Sequence, residues 1–326
     1  MKAILIKKPG GPEELILSDY EKPNYGKNDL LVKVRSAALN RADLLQRMGK
    51  YPPPEGASPI LGMDIAGDII KIGNEVSDWK TGDKVFGLIP GGGYAEYAAI
   101  HKNMAMRIPS NITYEQASAI PEVFLTSYQT LIWLGDLKKG NTVLIHAGAS
   151  GVGTAAIQIV KEKGGHPIIT ASKTKHKKCM ELGAEMAIDY KTEKFSKRVL
   201  EYTNNKGADL IIDFIGGSYF NQNIECLSEG GKMIFLAAMG GGKVESFNLG
   251  TLLYKHISII GSTLRSRTLD YKINLTKDFY SYAKDKFESG ELKPVIDRVF
   301  TWEDVKSAHQ YMEENKNIGK IVLTIS

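Results

Sequence analysis

Gly148, Gly151 and Gly153 stand in the run NTVLIHAGASGVGTAAIQIV, Asn141 to Val160, with the spacing G-x-x-G-x-G. Apolar Val143, Leu144 and Ile145 before them read as a buried strand, and Val152 to Val160 after them as an amphipathic helix. Strand, glycine loop and helix in that order make a site for the pyrophosphate of a dinucleotide. Glycine lets the backbone turn sharply and approach the phosphates, and the free N–H groups at the helix start face the negative charge. Glycine turns also join strands to helices with no ligand present, so this loop alone does not decide the matter.

A second position narrows the cofactor. A dinucleotide fold selective for NAD carries Asp or Glu about 20 residues past the loop, on the ribose hydroxyls. Here Thr170 to Lys178 reads TASKTKHKK, without an acid and rich in cations. A carboxylate would repel a 2′-phosphate, whereas Ser172 can donate a hydrogen bond to it and Lys175 can offset its charge. NADPH is therefore the expected cofactor. Lys173, Lys177 and Lys178 read as a solvated first helical turn. Tyr190, ending the third strand, either lies against the same phosphate or is an ordinary strand-end tyrosine. Aromatic residues are not interleaved with the basic run, which argues against a nucleic-acid surface.

The elements around these positions fall into two patterns. Ala3 to Ile6, Leu30 to Val34, Gly67 to Ile72 and Lys84 to Leu88 are strand-like, and Asn40 to Met48 is a short helical piece. From about 123 strands alternate with helices: Val143–Ala147, Pro167–Ala171, Ala187–Asp189, Leu210–Phe214, Met233–Ala237 and Ile257–Gly261. Continuous apolar strands of this kind lie in parallel sheets covered by helices on both faces. A polar helix is expected near Leu275 to Ser289, another starting at Thr301, whose hydroxyl would cap it, and a last strand at Lys320 to Ile325. That tail is expected to return to the first domain.

The 326 residues, 43% hydrophobic, suit two soluble domains. A net charge of +5, spread along the chain, suits an anionic cofactor. Cys179 and Cys226 are the only cysteines, too few for a disulfide framework or a four-cysteine zinc lobe. The start lacks a signal-peptide core and no segment reaches membrane-spanning length, so a cytoplasmic protein is expected.

Several blocks in order resemble one family. Gly62-Met63-Asp64-x-x-Gly67-x5-Gly73 is similar to the G-H-E-x-x-G-x5-G signature of the medium-chain dehydrogenase/reductases, and Lys80-Thr81-Gly82-Asp83-Lys84-Val85 to their K-x-G-D-x-V turn. SAALNRADLLQRMGKYPPPEGAS, AGASGVGTAAIQ, FIGGSYF and NKNIGKIVL resemble the zinc-independent NADPH:quinone oxidoreductases, nearest the tumour-suppressor-inducible branch related to zeta-crystallin. The resemblance implies a GroES-like β domain, 1–122 and 265–326, interrupted by a Rossmann domain, 123–264, that holds a six-stranded parallel sheet. It places the active site in the cleft between them. It carries over Asn40 and Tyr51 beside the nicotinamide, Thr126 at its carboxamide, and Gly148, Ser150, Gly151, Val152 and Gly153 at the pyrophosphate. Ser172, Lys175 and Tyr190 go to the 2′-phosphate, while Leu264 and Asn317 complete the pocket. Where zinc-dependent members hold their catalytic metal, this chain has Asn40 and Met63, neither a competent zinc ligand. The expected metal content is none.

A quinone accepts hydride with little acid–base help, because water can protonate its oxygens. Reduction of an α,β-unsaturated carbonyl differs, since a developing enolate wants a donor. The Tyr51 hydroxyl is the candidate, its alternative being a loop ring packed on Pro52 and Pro53. A small-molecule quinone is the expected substrate, with enone or enoyl thioester reduction as the alternative and an NADPH-binding structural or RNA-associated protein as a third. His146 is expected to be a satisfied core histidine, Asp64 to hydrogen-bond locally, and Arg265 and Arg267 to be solvated. The apolar edge strand Ile257–Gly261 invites pairing with a second copy, so a homodimer is expected.

Overall fold

A computed structural model describes residues 1–325, which form two compact units: Met1–Leu125 together with the chain from Arg265 onward, and Thr126–Leu264.

The first unit is built on a sheet whose strands run in the order Ile296–Thr301, Lys320–Thr324, Asp29–Ala38, Asp64–Ile72, Lys84–Leu88 and Ala105–Arg107, with Tyr97–His101 also paired to Asp29–Ala38. Its central strand buries Leu30, Leu31, Val32, Val34, Ala37 and Ala38. The closing strand Lys320–Thr324 pairs antiparallel with it, Val322 opposite Ala38. The C-terminal segment thus belongs to this sheet. The helix Leu269–Ser289 starts before the expected Leu275, because the Thr268 side chain accepts from the Tyr271 N–H and caps it. Leu275, Phe279, Ala283 and Phe287, four residues apart, form its buried stripe, and Phe124 stacks edge-on against Phe287 with centroids 5.0 Å apart. At Thr301 the helical segment starts as expected, but without the side-chain cap. The Thr301 hydroxyl donates to Asp304 Oδ2 (3.3 Å) instead of capping, and a short 3-10 turn, Trp302–Asp304, precedes the helix Val305–Glu313.

The second unit is a six-stranded, wholly parallel sheet, ordered Met186–Asp189, His166–Ala171, Thr142–Ile145, Ala208–Asp213, Leu227–Phe235 and Ser258–Gly261. In chain order of its own strands this is 3-2-1-4-5-6, the doubly wound dinucleotide arrangement. Val143, Leu144 and Ile145 have no exposure, as a strand covered on both faces requires.

Each unit buries one histidine completely. His146 places Nε2 2.6 Å from Asn223 Oδ1 and Nδ1 3.0 Å from Thr170 Oγ1. Asn223 donates its amide to Asp213 Oδ2 (3.2 Å), so its Oδ1 accepts, and His146 carries its proton on Nε2. In the first unit fully buried Arg47 donates to Gly10 O (3.0 Å), to His309 Nδ1 (3.2 Å) and to Glu313. Burial pushes His146 down to about 4, and burial with the Arg47 charge pushes His309 down to about 3.

Both histidines fold neutral but take a proton once unfolded below about pH 6.5. Their contribution to stability is complete above that pH and is lost as pH falls through about 6.5 towards 4, at about 1.4 kcal/mol per pH unit per histidine. Asp43, held up at about 6 by burial, acts oppositely and offsets about one of the two protons. Urea midpoints between pH 7 and 4.5 are expected to fall with acid, and His146→Gln to flatten that slope by about one proton. An unchanged slope in the variant counts against the neutral-histidine account.

Candidate active site

The nucleotide unit presents its glycine loop at the C-terminal end of the central strand. That strand ends at Ile145, and the left-handed residue of the turn is Ala147 (φ 49°), not a glycine. The glycines serve close approach instead. A Cβ on Gly148 would lie 2.5 Å from Ile169 Cβ, and one on Gly153 2.5 Å from Ala147 O. Ser150 is the N-cap of the helix Gly151–Glu162, its Oγ accepting from the Gly153 N–H at 3.0 Å. The N–H groups of Gly151 and Val152 at the helix start carry the positive end of its dipole. The buried Gly148 N–H donates to Thr170 O (2.9 Å), tying the loop to the neighbouring strand through the residue that also bonds His146.

That neighbouring strand, His166–Ala171, ends in Ser172, followed by a 3-10 turn Lys173–Lys175. Lys173, Lys177 and Lys178 are exposed, and Lys178 pairs with Glu181 (3.6 Å). Ser172 and Lys175 are half-buried. His176 Nε2 lies 3.0 Å from Ala171 O, which requires Nε2 to carry the proton, and so fixes the turn against the strand end. Tyr190 follows the strand Met186–Asp189 and is exposed, while Thr126 and Leu264, at the two ends of the unit, are buried.

The first unit gathers a second set of polar groups. Asn40 caps the helix Arg41–Arg47, and Asp43 Oδ2 accepts its backbone N–H at 2.7 Å. Asp43 also accepts from the Gly62 N–H (3.1 Å) and the Tyr94 hydroxyl (3.2 Å). The Asn40 side chain donates to Asp64 Oδ2 (2.9 Å) and accepts from Lys320 Nζ (2.7 Å). Lys320 is itself 2.9 Å from Asp64 Oδ2, with Asp64 wholly buried. Asn317, half-buried, donates to Gly319 O (2.8 Å).

Arg265 corrects the expectation of a solvated side chain. It is buried, donating to Pro90 O (2.7 Å) and Gln46 Oε1 (2.8 Å), and its guanidinium lies over the Tyr51 ring at 5.4 Å. Tyr51 is therefore held by a cation on its face, a partner that its position beside Pro52 and Pro53 did not reveal. Sequence reasoning also missed Lys320, Asp43 and His176. A lone lysine in the apolar run KIVLTI was the one visible signal for the first.

Residues 26–110 match the alcohol dehydrogenase GroES-like domain family, and 151–312 the zinc-binding dehydrogenase family. The human protein named quinone oxidoreductase is 31% identical over 336 residues, covering 100% of this chain and 98% of its own length. The chain belongs to the quinone oxidoreductase family of the medium-chain dehydrogenase/reductases. Two solved quinone oxidoreductases share its fold over the whole chain. The one from Coxiella burnetii is 31% identical with a TM-score of 0.85, covering 99% of that chain. The other, from Escherichia coli and complexed with NADPH, is 27% identical with a TM-score of 0.90, covering 100%.

One matched family takes its name from zinc, and the residues present do not fit that ion. Asn40 and Met63 offer an amide and a thioether, and Asp64 is already paired with an ammonium. Among the described residues no group of three or more His, Cys, Asp or Glu side chains is arranged to hold a metal. A dinucleotide pyrophosphate, by contrast, suits the helix start behind the glycine loop, where the Gly151 and Val152 N–H groups are offered.

Gly148→Ala is expected to cost about 1–3 kcal/mol in urea unfolding, because the new methyl meets the branched Cβ of Ile169. A loss below about 0.5 kcal/mol would show that the loop yields without strain.

Proposed function

We propose that this protein is an NADPH-dependent quinone oxidoreductase that works without zinc. The observation that carries it is the end of the strand His166–Ala171. Half-buried Ser172 and Lys175 stand there, with no carboxylate in the turn, where a ribose-binding acid would otherwise be. The human relative's name and the Escherichia coli neighbour's complex support the same reading.

Gly148, Ser150, Gly151, Val152 and Gly153 would hold the pyrophosphate, the helix start supplying N–H donors. Ser172, Lys175 and Tyr190 would take the 2′-phosphate. In the nucleotide unit Thr126 is proposed for the nicotinamide carboxamide, with Leu264 as a further contact; in the first unit Asn40, Tyr51 and Asn317 are proposed as ligand contacts. A bound reduced nicotinamide supplies hydride; with a proton from water, a quinone becomes the hydroquinone. The residues bind, orient and exclude water, and none has to move a proton.

One observation favours a second reading, reduction of α,β-unsaturated carbonyls. The Tyr51 hydroxyl has no hydrogen-bond partner among the described residues, while the Arg265 guanidinium lies on its ring. Such a phenol could donate to an enolate oxygen. Steady-state NADPH oxidation with a naphthoquinone and with an alkenal at equal concentration separates the readings. Quinone turnover that survives Tyr51→Phe is expected, and turnover of the alkenal alone would replace the first reading with the second. Lys175→Ala should weaken NADPH binding about tenfold to a hundredfold and NADH binding much less, since one charge-assisted contact is worth about 1.5–3 kcal/mol. Equal losses for both would take Lys175 away from the phosphate.

The cytosol is the proposed compartment; among the described residues no helix is long and apolar enough to cross a membrane. A homodimer is proposed on the edge strand Ser258–Gly261, which pairs on one side only and exposes Ile259. The adjoining helix Gly250–Lys255 exposes Leu253 at 74% and Tyr254 at 84%. Exposed apolar patches beside an open edge mark association surfaces. Sedimentation should give a dimer for the native chain and a monomer for Ile259→Lys with Leu253→Asp. A monomeric native chain would overturn this assignment.

A further inference from the structure

We propose that Lys320 is a positioning residue of the hydride-transfer site, its ammonium fixing which edge of the Asn40 amide is presented to a ligand. The inference rests on the reading above, in which Asn40 is a ligand contact.

Lys320 has three N–H donors and three acceptors around them: Leu39 O at 2.8 Å, Asn40 Oδ1 at 2.7 Å and Asp64 Oδ2 at 2.9 Å. Its side chain is 4% exposed and that of Asp64 is not exposed at all, so water does not compete for these bonds. An amide has two edges of nearly equal shape, one accepting and one donating. Lysine can only donate, so Oδ1 must face it. Nδ2 must then face the carboxylate, and it lies 2.9 Å from Asp64 Oδ2. Turning the amide over would set NH2 against an ammonium and an oxygen against a carboxylate, both repulsive in a buried place.

The other bonds close off every alternative. Asp64 Oδ1 accepts the Glu122 N–H at 2.8 Å, so the carboxylate cannot swing. The Asn40 backbone N–H is held by Asp43, so the residue cannot rotate as a whole. The second Asn40 amide N–H has, among the described residues, Ala38 O alone as acceptor, at the outer limit of 3.5 Å. That donor suits a carbonyl oxygen, supplied either by the carboxamide of the cofactor or by the acceptor. The same ammonium occupies Asp64 Oδ2, so that carboxylate is paired already and is not open to a cation.

The test compares the native enzyme with Lys320→Met, with Lys320→Met/Asp64→Asn, with Asn40→Ala, and with the triple variant. Lysine removal alone leaves a buried carboxylate unpaired and can unfold the chain; the neutral double variant keeps the question answerable. Folding is checked by near-ultraviolet circular dichroism, NADPH affinity by fluorescence titration, and kcat and KM with a naphthoquinone. The double variant is expected to lose on the order of tenfold to a hundredfold in kcat/KM while remaining folded. Added to Asn40→Ala, the same two changes should cost less than about twofold, since they act through Asn40. A loss in NADPH affinity assigns the second N–H to the carboxamide, and a rise in quinone KM alone assigns it to the acceptor. A folded double variant within about twofold of the native enzyme, or losses that multiply with Asn40→Ala, would overturn the role of Lys320. Absence of quinone turnover in the native enzyme would remove the underlying reading and the role together.

Discussion

A carboxylate with no exposure must find an opposite charge, and in the first unit everything near Asp64 is arranged around that need. The charge comes from Lys320, and the two share Asn40 as a common hydrogen-bond partner. Breaking one member of such a pair strands the other in a low-dielectric interior, a loss of about 3–5 kcal/mol. The central strand, the strand that begins at Asp64, the N-cap of the helix Arg41–Arg47 and the last strand are therefore held to one geometry by side-chain bonds as well as by sheet pairing. Asp43 extends the same logic outward, tying Asn40 to Gly62 and Tyr94.

The nucleotide unit solves its problem differently, by removing atoms. Gly148 and Gly153 stand where a methyl group would collide with a neighbouring strand or with the loop itself. Beneath the loop, Thr170, His146, Asn223 and Asp213 form a buried chain of donors and acceptors in which each tautomer and amide edge follows from its neighbour. The loop is thus shaped by absence above and by a satisfied polar network below. Neither depends on a ligand being bound.

The doubly wound unit was legible because its signals are local: apolar strands, a glycine loop and helices in alternation. Strand ends moved by a few residues, as at Ile145, because Ala147, expected in the strand, takes a left-handed conformation. The site in the first unit was legible only in part. Asn40 and Tyr51 could be named from motif likeness, but their partners Lys320 and Arg265 lie hundreds of residues away in sequence and obey no spacing rule. Arg265 was misread because a charged side chain in a polar segment looks solvated until its acceptors, Pro90 O and Gln46 Oε1, are placed around it. At Thr301 the helical start was legible and only the cap bond was not, the hydroxyl donating to Asp304.

The strand carrying Lys320 also sets an order of assembly. Synthesis runs from the N-terminus, so Asp64 and Asn40 leave the ribosome long before the lysine that neutralises them. The interrupting segment Thr126–Leu264 has all its strands by residue 261, and can close while the first unit still lacks the strands Ile296–Thr301 and Lys320–Thr324. Domains fold as units during translation, at about 5–20 residues per second. The nascent chain therefore carries an open sheet edge and an uncompensated acid for about 10–50 s, and its middle matures before its beginning.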